Sequence, residues 1–359
     1  MKSAFAIWVG STVTAASQST QSHKLLTKYR SISLAILALL ASIVPAFGIT
    51  VTTPENGEQL TSPFSLVAST TSCGAEPAVS MGYSLDYGAT TIVPTSFSAM
   101  VIAGGGQHIL HVKCWGQNGA NSDTSLNITI VPETTVPSNA TIVGDIQSLP
   151  NWAWDHDPGT PGDSTGSSDL TNVPSLSGNA RRMAVSFDNS GGELFHVSFG
   201  KDTAATHFIY DAEVYLGYSS ALANIEMDMN QVMANGDTVI YGVQCDGISG
   251  TWDYTLNLGT PEQPIDKWIH SNVSCPEPKT WDPNTWHHVQ ISYSRDGSGN
   301  VTYGSVVLDG NQSDFVGATG NSAFALGWGT TLLTNFQVDG LGLEGSITAY
   351  LDKLTVSRW

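Results

Sequence analysis

The chain has 359 residues, long enough for two domains of ordinary size. Charged residues make up only 12% and glycines number 36, which fits a turn-rich β protein and argues against a mainly helical one. Acids outnumber bases by 31 to 13, giving a net charge of −18, so phosphate repulsion excludes nucleic acid as a partner.

The first 48 residues read as a leader. Lys24, Lys28 and Arg30 precede an apolar run from Ile32 to Val44; Pro45 follows, then Ala46-Phe47-Gly48 with small residues at both ends. Basic, apolar and small-residue parts in that order predict a cleavable export signal. The run is about 13 residues, short of the ~20 that span a bilayer, which disfavours an uncleaved anchor. Ser3–Ala16 is a second, weaker apolar segment. The expectation is a secreted, extracellular protein with no membrane association after cleavage. All four cysteines lie beyond the leader, and an even count in an exported chain implies disulfides. Of the three connectivities, the two local pairings Cys73–Cys114 and Cys245–Cys275 are the simplest.

Residues 49–132 form a series of short alternating runs, among them FSLVAST, AVSMGYSLD, HILHVKCW and SLNITIVP, separated by Gly, Asn and Pro. Such spacing predicts a β-sandwich. The opening ITVTTPENGEQLTSPFSLVAST resembles the immunoglobulin-like modules of secreted bacterial enzymes and adhesins. In that resemblance Cys73 ends an early strand and Cys114 a late one, so their bridge would pin the two sheets together. No chemistry is visible here, and a spacer or accessory role is expected. Residues 133–141 (ETTVPSNAT) are a polar linker.

Residues 142–359 carry about eleven longer strands and sustain no helical period over ten residues, which predicts a two-sheet jelly roll. Its last strand, YLDKLTVSRW, is expected beside its first. Trp286-His287-His288-Val289-Gln290-Ile291-Ser292-Tyr293, the turn Asp296–Val301 and Leu308-Asp309-Gly310 resemble the hairpin of laminin-G-like and concanavalin A-like jelly rolls. That resemblance implies a Trp between the sheets, with Val289, Ile291 and Tyr293 facing one side. It says little of function, because lectins, adhesion modules and glucanases share the fold. The region is also similar to secreted bacterial proteins that place such a domain after an immunoglobulin-like module. The expected fold is therefore all-β, an N-terminal immunoglobulin-like β-sandwich followed by a two-sheet concanavalin A-like jelly roll.

Ile225–Gln231 (IEMDMNQ) is the leading functional candidate. On a strand Glu226, Asp228 and Asn230 share one face and Ile225, Met227 and Met229 the other. The apolar face belongs to a core, which leaves the carboxylates on the opposite, concave face, either to meet a ligand or simply to solvate the outer side of the sheet. The segment resembles the E-x-D-x-x-E strand of jelly-roll glucanases, where the first Glu is the nucleophile and the last the acid/base. Here Gln231 stands at the acid position, and Asn230 stands there in the shorter E-x-D-x-E form; an amide cannot protonate a leaving oxygen. Glu226 and Asp228 are therefore catalytic candidates only if an acid comes from elsewhere. Asp211 and Glu213, on the preceding strand with Ile209 and Tyr215, are expected beside Glu226.

Trp152 and Trp154 occupy a loop where aromatic rings can stack on sugars, though one ring can instead plug the sandwich edge. Asp155 and Asp157, with Asp163, are candidate calcium ligands, although their spacing matches no EF-hand, and turn-capping is the plainer role. No other cofactor is indicated. Of ten tryptophans most follow residue 150, and Trp252, Tyr254, Trp268, His270, Trp281 and Trp328 extend the aromatic set. One of His287 and His288 is expected at the core edge and the other in solvent. G-x-S-x-G, H-E-x-x-H, P-loop and dinucleotide motifs are absent, which disfavours protease, lipase and nucleotide chemistry. The preferred reading is a lectin-like protein holding a neutral polysaccharide or oligosaccharide on the concave face. Its ligand contacts would be Trp152, Trp154, Asp211, Glu213, Glu226, Asp228, Asn230 and Gln231. The alternatives are a glycoside hydrolase with a degenerate motif and a non-catalytic structural or adhesive surface protein.

Overall fold

The computed structural model describes residues 48–131, 135–342 and 344–359. The expected signal segment lies outside these residues, as do the last residue of the expected module and the first two of the expected linker. The described chain is β-sheet throughout, relieved only by single 3-10 turns at Gln117–Gly119, Ile146–Ser148 and Pro278–Thr280. Among the described residues no helix is long and apolar enough to cross a membrane.

Two separate apolar cores organise the sheets. The first gathers Phe64, Leu66, Met81, Leu110, Val112 and Ile128. These come from a three-stranded sheet (Thr50–Thr53, Phe64–Ser69, Ser96–Val101) and a six-stranded one built around Gly106–Gly116 and Asn121–Ile130. The second and larger core lies in a sandwich whose two sheets have nine strands each. One sheet runs Ser164–Thr171, Ala180–Phe187, Gly345–Arg358, His207–Leu216, Trp286–Arg295, Asn300–Leu308, Asn311–Asp314. The other, which carries the site, runs Ala153–His156, Gly192–Gly200, Leu332–Gly340, Leu222–Val232, Val243–Asp246, Thr251–Asn257, Asp266–Ser274. Period-two alternation makes these strands half-buried: Phe195, Met227, Met229 and Phe336 from the site sheet meet Tyr210, Val289, Ile291 and Val356 from the other. The final strand closes the sandwich as expected, with Arg358 opposite Thr141 and Val356 opposite Val143.

Two details differ from expectation. Val289, Ile291 and Tyr293 do face the core, but Trp286 has the opposite parity. It packs on Tyr215 at 5.3 Å between ring centroids, on the outer face of its sheet. Both disulfides form as the local pairings, Cys73–Cys114 and Cys245–Cys275. However, Cys73–Cys114 joins two strands of the same six-stranded sheet and does not pin two sheets. The strand Glu76–Leu85 pairs with Ser72–Cys73 at its start and with Gly106–Gly116 along its length, which brings both cysteines to its flanks.

The two cores are not merely tethered. Ser62 Oγ lies 3.1 Å from Thr302 Oγ1 and accepts the Ala103 amide at 3.0 Å, while the Gly317 amide donates to the Gly105 carbonyl at 3.0 Å. Gly104 sits directly against Gly317: a Cβ there would come within 2.4 Å of the Gly317 Cα. Backbone meets backbone, with no flexible side chain to yield. Gly104→Ala is therefore expected to destabilise the full chain by about 1–3 kcal/mol, as overpacking does. Gly297→Ala, which would meet nothing within 4 Å, should be near neutral. Equal urea midpoints for the two variants would contradict this docking.

Candidate functional site

The strand Leu222–Val232 lies in the middle of its sheet, between Leu332–Gly340 and the Thr238–Asp246 segment. Its Ile225, Met227 and Met229 are fully buried in the core. Opposite them, register stacks polar groups strand by strand. Asn224 faces Asp339, Glu226 faces Gln337 and Asp228 faces Asn335 on one side. On the other side Glu226 faces Gln244 and Asn224 faces Asp246; Gln244 then faces Asp253, and Asp253 faces His270. Trp268 joins the same face opposite Thr255. The result is a continuous polar surface across five strands, with the tryptophan toward one edge.

At its centre Gln337 Nε2 lies 3.1 Å from Glu226 Oε1, 3.0 Å from Asp157 Oδ2 and 3.0 Å from Asp339 Oδ1. An amide has two hydrogens and cannot donate to all three. The Glu226 and Asp339 carboxyls also interact with each other, in the sense that favours a proton on Glu226. Burial is the main cause that lifts the Glu226 carboxyl well above its ordinary range, and the charges of Asp339, Asp228 and Asp157 add to it. Asp228 is pushed up to about 7, again chiefly by burial, against the lowering effect of the Val243 amide and Asn335. Asp339 reaches about 6 by burial, offset by hydrogen bonds from Gln337 and Glu226. Asp266 is raised by burial and by Asp157. Asp228 Oδ1, Asn230 Nδ2 and Asn335 Oδ1 are buried with no hydrogen-bond partner among the described residues.

Several expected site residues fall elsewhere. Asp211 and Glu213 are not beside Glu226: their strand, His207–Leu216, belongs to the opposite sheet. There Asp211 accepts hydrogen bonds from Gln290 Nε2 at 2.7 Å and His288 Nε2 at 3.2 Å, on the outer side, while Tyr210, Ala212 and Val214 face the core. Gln231 has the parity of the methionines and is wholly buried. It donates to the Asp202 and Ala205 carbonyls and accepts from Tyr241 Oη and from Arg295 Nε. No bulge turns it toward Glu226, so it is a core fastener and occupies no acid position. Trp152 is 7% exposed; its Nε1 donates to the Ile146 carbonyl and its ring carries Arg181, so it is the edge plug. Trp154 pairs with Phe195, on the opposite parity from Glu226, and is partly exposed at the edge strand.

The two calcium candidates separate. Asp157 joins the Gln337 cluster, whereas the Asp155 side chain is 77% exposed beside His196. Asp163 lies apart, where its amide donates to Asp188. Of the histidine pair, His287 is the buried one, held between Asp309 and the Asp282 carbonyl. The residues overlooked in the sequence are Gln337, Asp339, Gln244 and Asp266. The first three were marked by polar positions alternating with Phe336, Val338 and Cys245.

The raised carboxyls set a pH dependence. A group whose folded pKa is lifted adds stability below its ordinary pKa and loses it as pH rises through the folded value. Stability is therefore expected to fall between pH 5 and pH 8, by roughly 2–3 kcal/mol from Asp228 alone. Below about pH 4 the opposite trend takes over, because Asp86, Asp202 and Asp352 are held low by hydrogen bonds that outweigh their burial. Asp228→Asn should flatten the fall. Urea midpoints that rise from pH 5 to pH 8 in the wild type would contradict the assignment.

No protein-family model matches the chain, and no curated protein matches it. Solved structures do overlap it. One is from a study of the promiscuous specificity of carbohydrate-binding modules of the β-sandwich superfamily, with TM-score 0.33, 10% identity, 85% of this chain and 95% of that one. Another is the lectin UEA-II with galactose (TM-score 0.28, 11% identity, 61% and 97% covered). A third is a fructofuranosidase variant from Schwanniomyces occidentalis with fructosylnystose (TM-score 0.28, 9% identity, 86% and 46% covered). At such scores and identities the overlaps are loose, and what this chain shows of itself is an all-β sandwich with an acidic, amide-rich sheet face.

Proposed function

We propose that the polar face of the Leu222–Val232 sheet binds a neutral carbohydrate, and that the chain is an exported carbohydrate-binding protein. The observation that carries this reading is the register-stacked polar face itself. Glu226 in its protonated form donates, ionised carboxylates accept, and Asn224, Asn335, Gln337 and Gln244 do both. A polyol presents donors and acceptors at every carbon and matches such a surface, and Trp268 offers a ring for its C–H face. The acidity of the face disfavours anionic glycans.

Binding is favoured over cleavage by one detail: Gln231, at the place of the motif's acid, is an amide buried in the core and cannot protonate a leaving oxygen. In this reading residues 49–132 are an immunoglobulin-like accessory after a leader ending near residue 48, with residues 133–141 leading into a binding domain at 142–359. Two formed disulfides fit an oxidising, extracellular setting.

Affinity electrophoresis against a panel of neutral plant, algal and microbial glycans tests the proposal. At least one glycan should retard the wild type, and Trp268→Ala or Glu226→Ala should weaken that binding about tenfold, the cost of one lost hydrogen bond or stacked ring. Retardation by no glycan, or identical mobility of wild type and both variants, rejects it. Release of reducing ends from a bound glycan would instead support the glycosidase reading.

A further inference from the structure

Three adjacent strands of the site sheet place Asp246, Asp253 and His270 together, and their donor atoms lie within 4.8 Å of one another. His270 Nδ1 is 2.7 Å from Asp253 Oδ2 and 4.0 Å from Asp246 Oδ2. We infer that these three side chains form a divalent transition-metal site, with zinc or manganese as the fitting ions. This goes beyond the carbohydrate reading and does not depend on it.

The geometry is that of a prepared half-shell. Each carboxylate has one oxygen anchored and the other turned toward His270. Asp253 Oδ1 accepts from Thr251 Oγ1 at 2.6 Å, and Asp246 Oδ1 accepts from the Ile248 amide at 2.7 Å. Such outer hydrogen bonds orient metal-binding carboxylates. Asp246 is more than nine-tenths buried, yet its Oδ2 is aimed at the imidazole across a gap too long for a hydrogen bond. A tetrahedral ion with ligands about 2.1 Å away holds its donors about 3.4 Å apart, between the two separations seen here. Metal binding would draw Asp246 in and let Asp253 out by a few tenths of an ångström each.

Charge and access fit as well. Two carboxylates and a neutral imidazole neutralise a divalent ion, and the mixed O/N set suits zinc or manganese better than calcium or magnesium. The His270 side chain is 67% exposed, so the remaining coordination positions open to solvent. The Cys245–Cys275 bridge adds stiffness: Cys245 adjoins Asp246, and Cys275 directly follows the strand that carries His270. It ties together the two outer strands of the three that supply ligands.

The test uses the full chain, freed of metal by a chelator and then titrated with zinc, manganese or calcium chloride. Zinc or manganese should bind at one ion per chain by calorimetry and raise the melting temperature, with calcium weaker. His270→Ala should abolish that binding; its exposure makes misfolding a minor concern, and circular dichroism checks it. Thr251→Val should weaken binding about 10–100-fold while keeping all three ligands. Absence of binding by all three ions, or binding unchanged in His270→Ala, overturns the inference and leaves a histidine–aspartate ion pair. Glycan retardation of the metal-free chain is read separately, so failure of either proposal leaves the other standing.

Discussion

The strand Leu222–Val232 is buried on both faces, and the rest of the sandwich answers to that constraint. One face meets a hydrocarbon core through Ile225, Met227 and Met229. The other presents Glu226, Asp228 and Asn230, each less than a tenth exposed. Burying carboxylates costs several kcal/mol unless they are paired or neutralised. The neighbouring strand therefore repeats the same division, with Phe336 and Val338 inward and Asn335, Gln337 and Asp339 outward. A slip of one residue would put acids into the core and methionines on the polar face, so the register is firmly set.

The same constraint explains why the acids are chemically unusual. Surrounded by protein and by one another, they hold protons near neutrality and become mixed donors and acceptors in place of a uniformly anionic wall. Gln337 acts as the clasp, touching three carboxyls from a single nitrogen. Farther along the face the acids are arranged differently. Asp246 and Asp253 face an exposed imidazole. One sheet face thus carries two kinds of polar chemistry a few residues apart.

Much of this was legible in the sequence. Alternation of Glu226 and Asp228 with Met227 and Met229 placed the carboxyls opposite the core, and the cysteine pairing followed from proximity. What was not legible depended on sheet order. Asp211 and Glu213 precede Glu226 closely in the chain, yet the connection crosses to the other sheet; Asp339, more than a hundred residues later, is the neighbour. Alternation reveals which residues share a face of one strand, and says nothing of which strands adjoin. One further position misled: Gln231 was read at the acid position of a family motif, while the strand runs regularly to Val232 and turns that side chain inward to Arg295. The His270 group was hidden for the same reason, since its three ligands come from three strands.

The contact of Gly104 with Gly317 has a consequence for how such a protein can be rebuilt. Two modules joined only by a linker can be reshuffled freely, each keeping its own surface. Here the seam is made of main chain, so any side chain larger than hydrogen at Gly104 wedges it apart. The N-terminal sheets cannot be exchanged for an arbitrary domain without re-carving the partner surface around Thr302 and Gly317. What reads along the chain as two interchangeable beads is, mechanically, a single handle with a fixed grip angle.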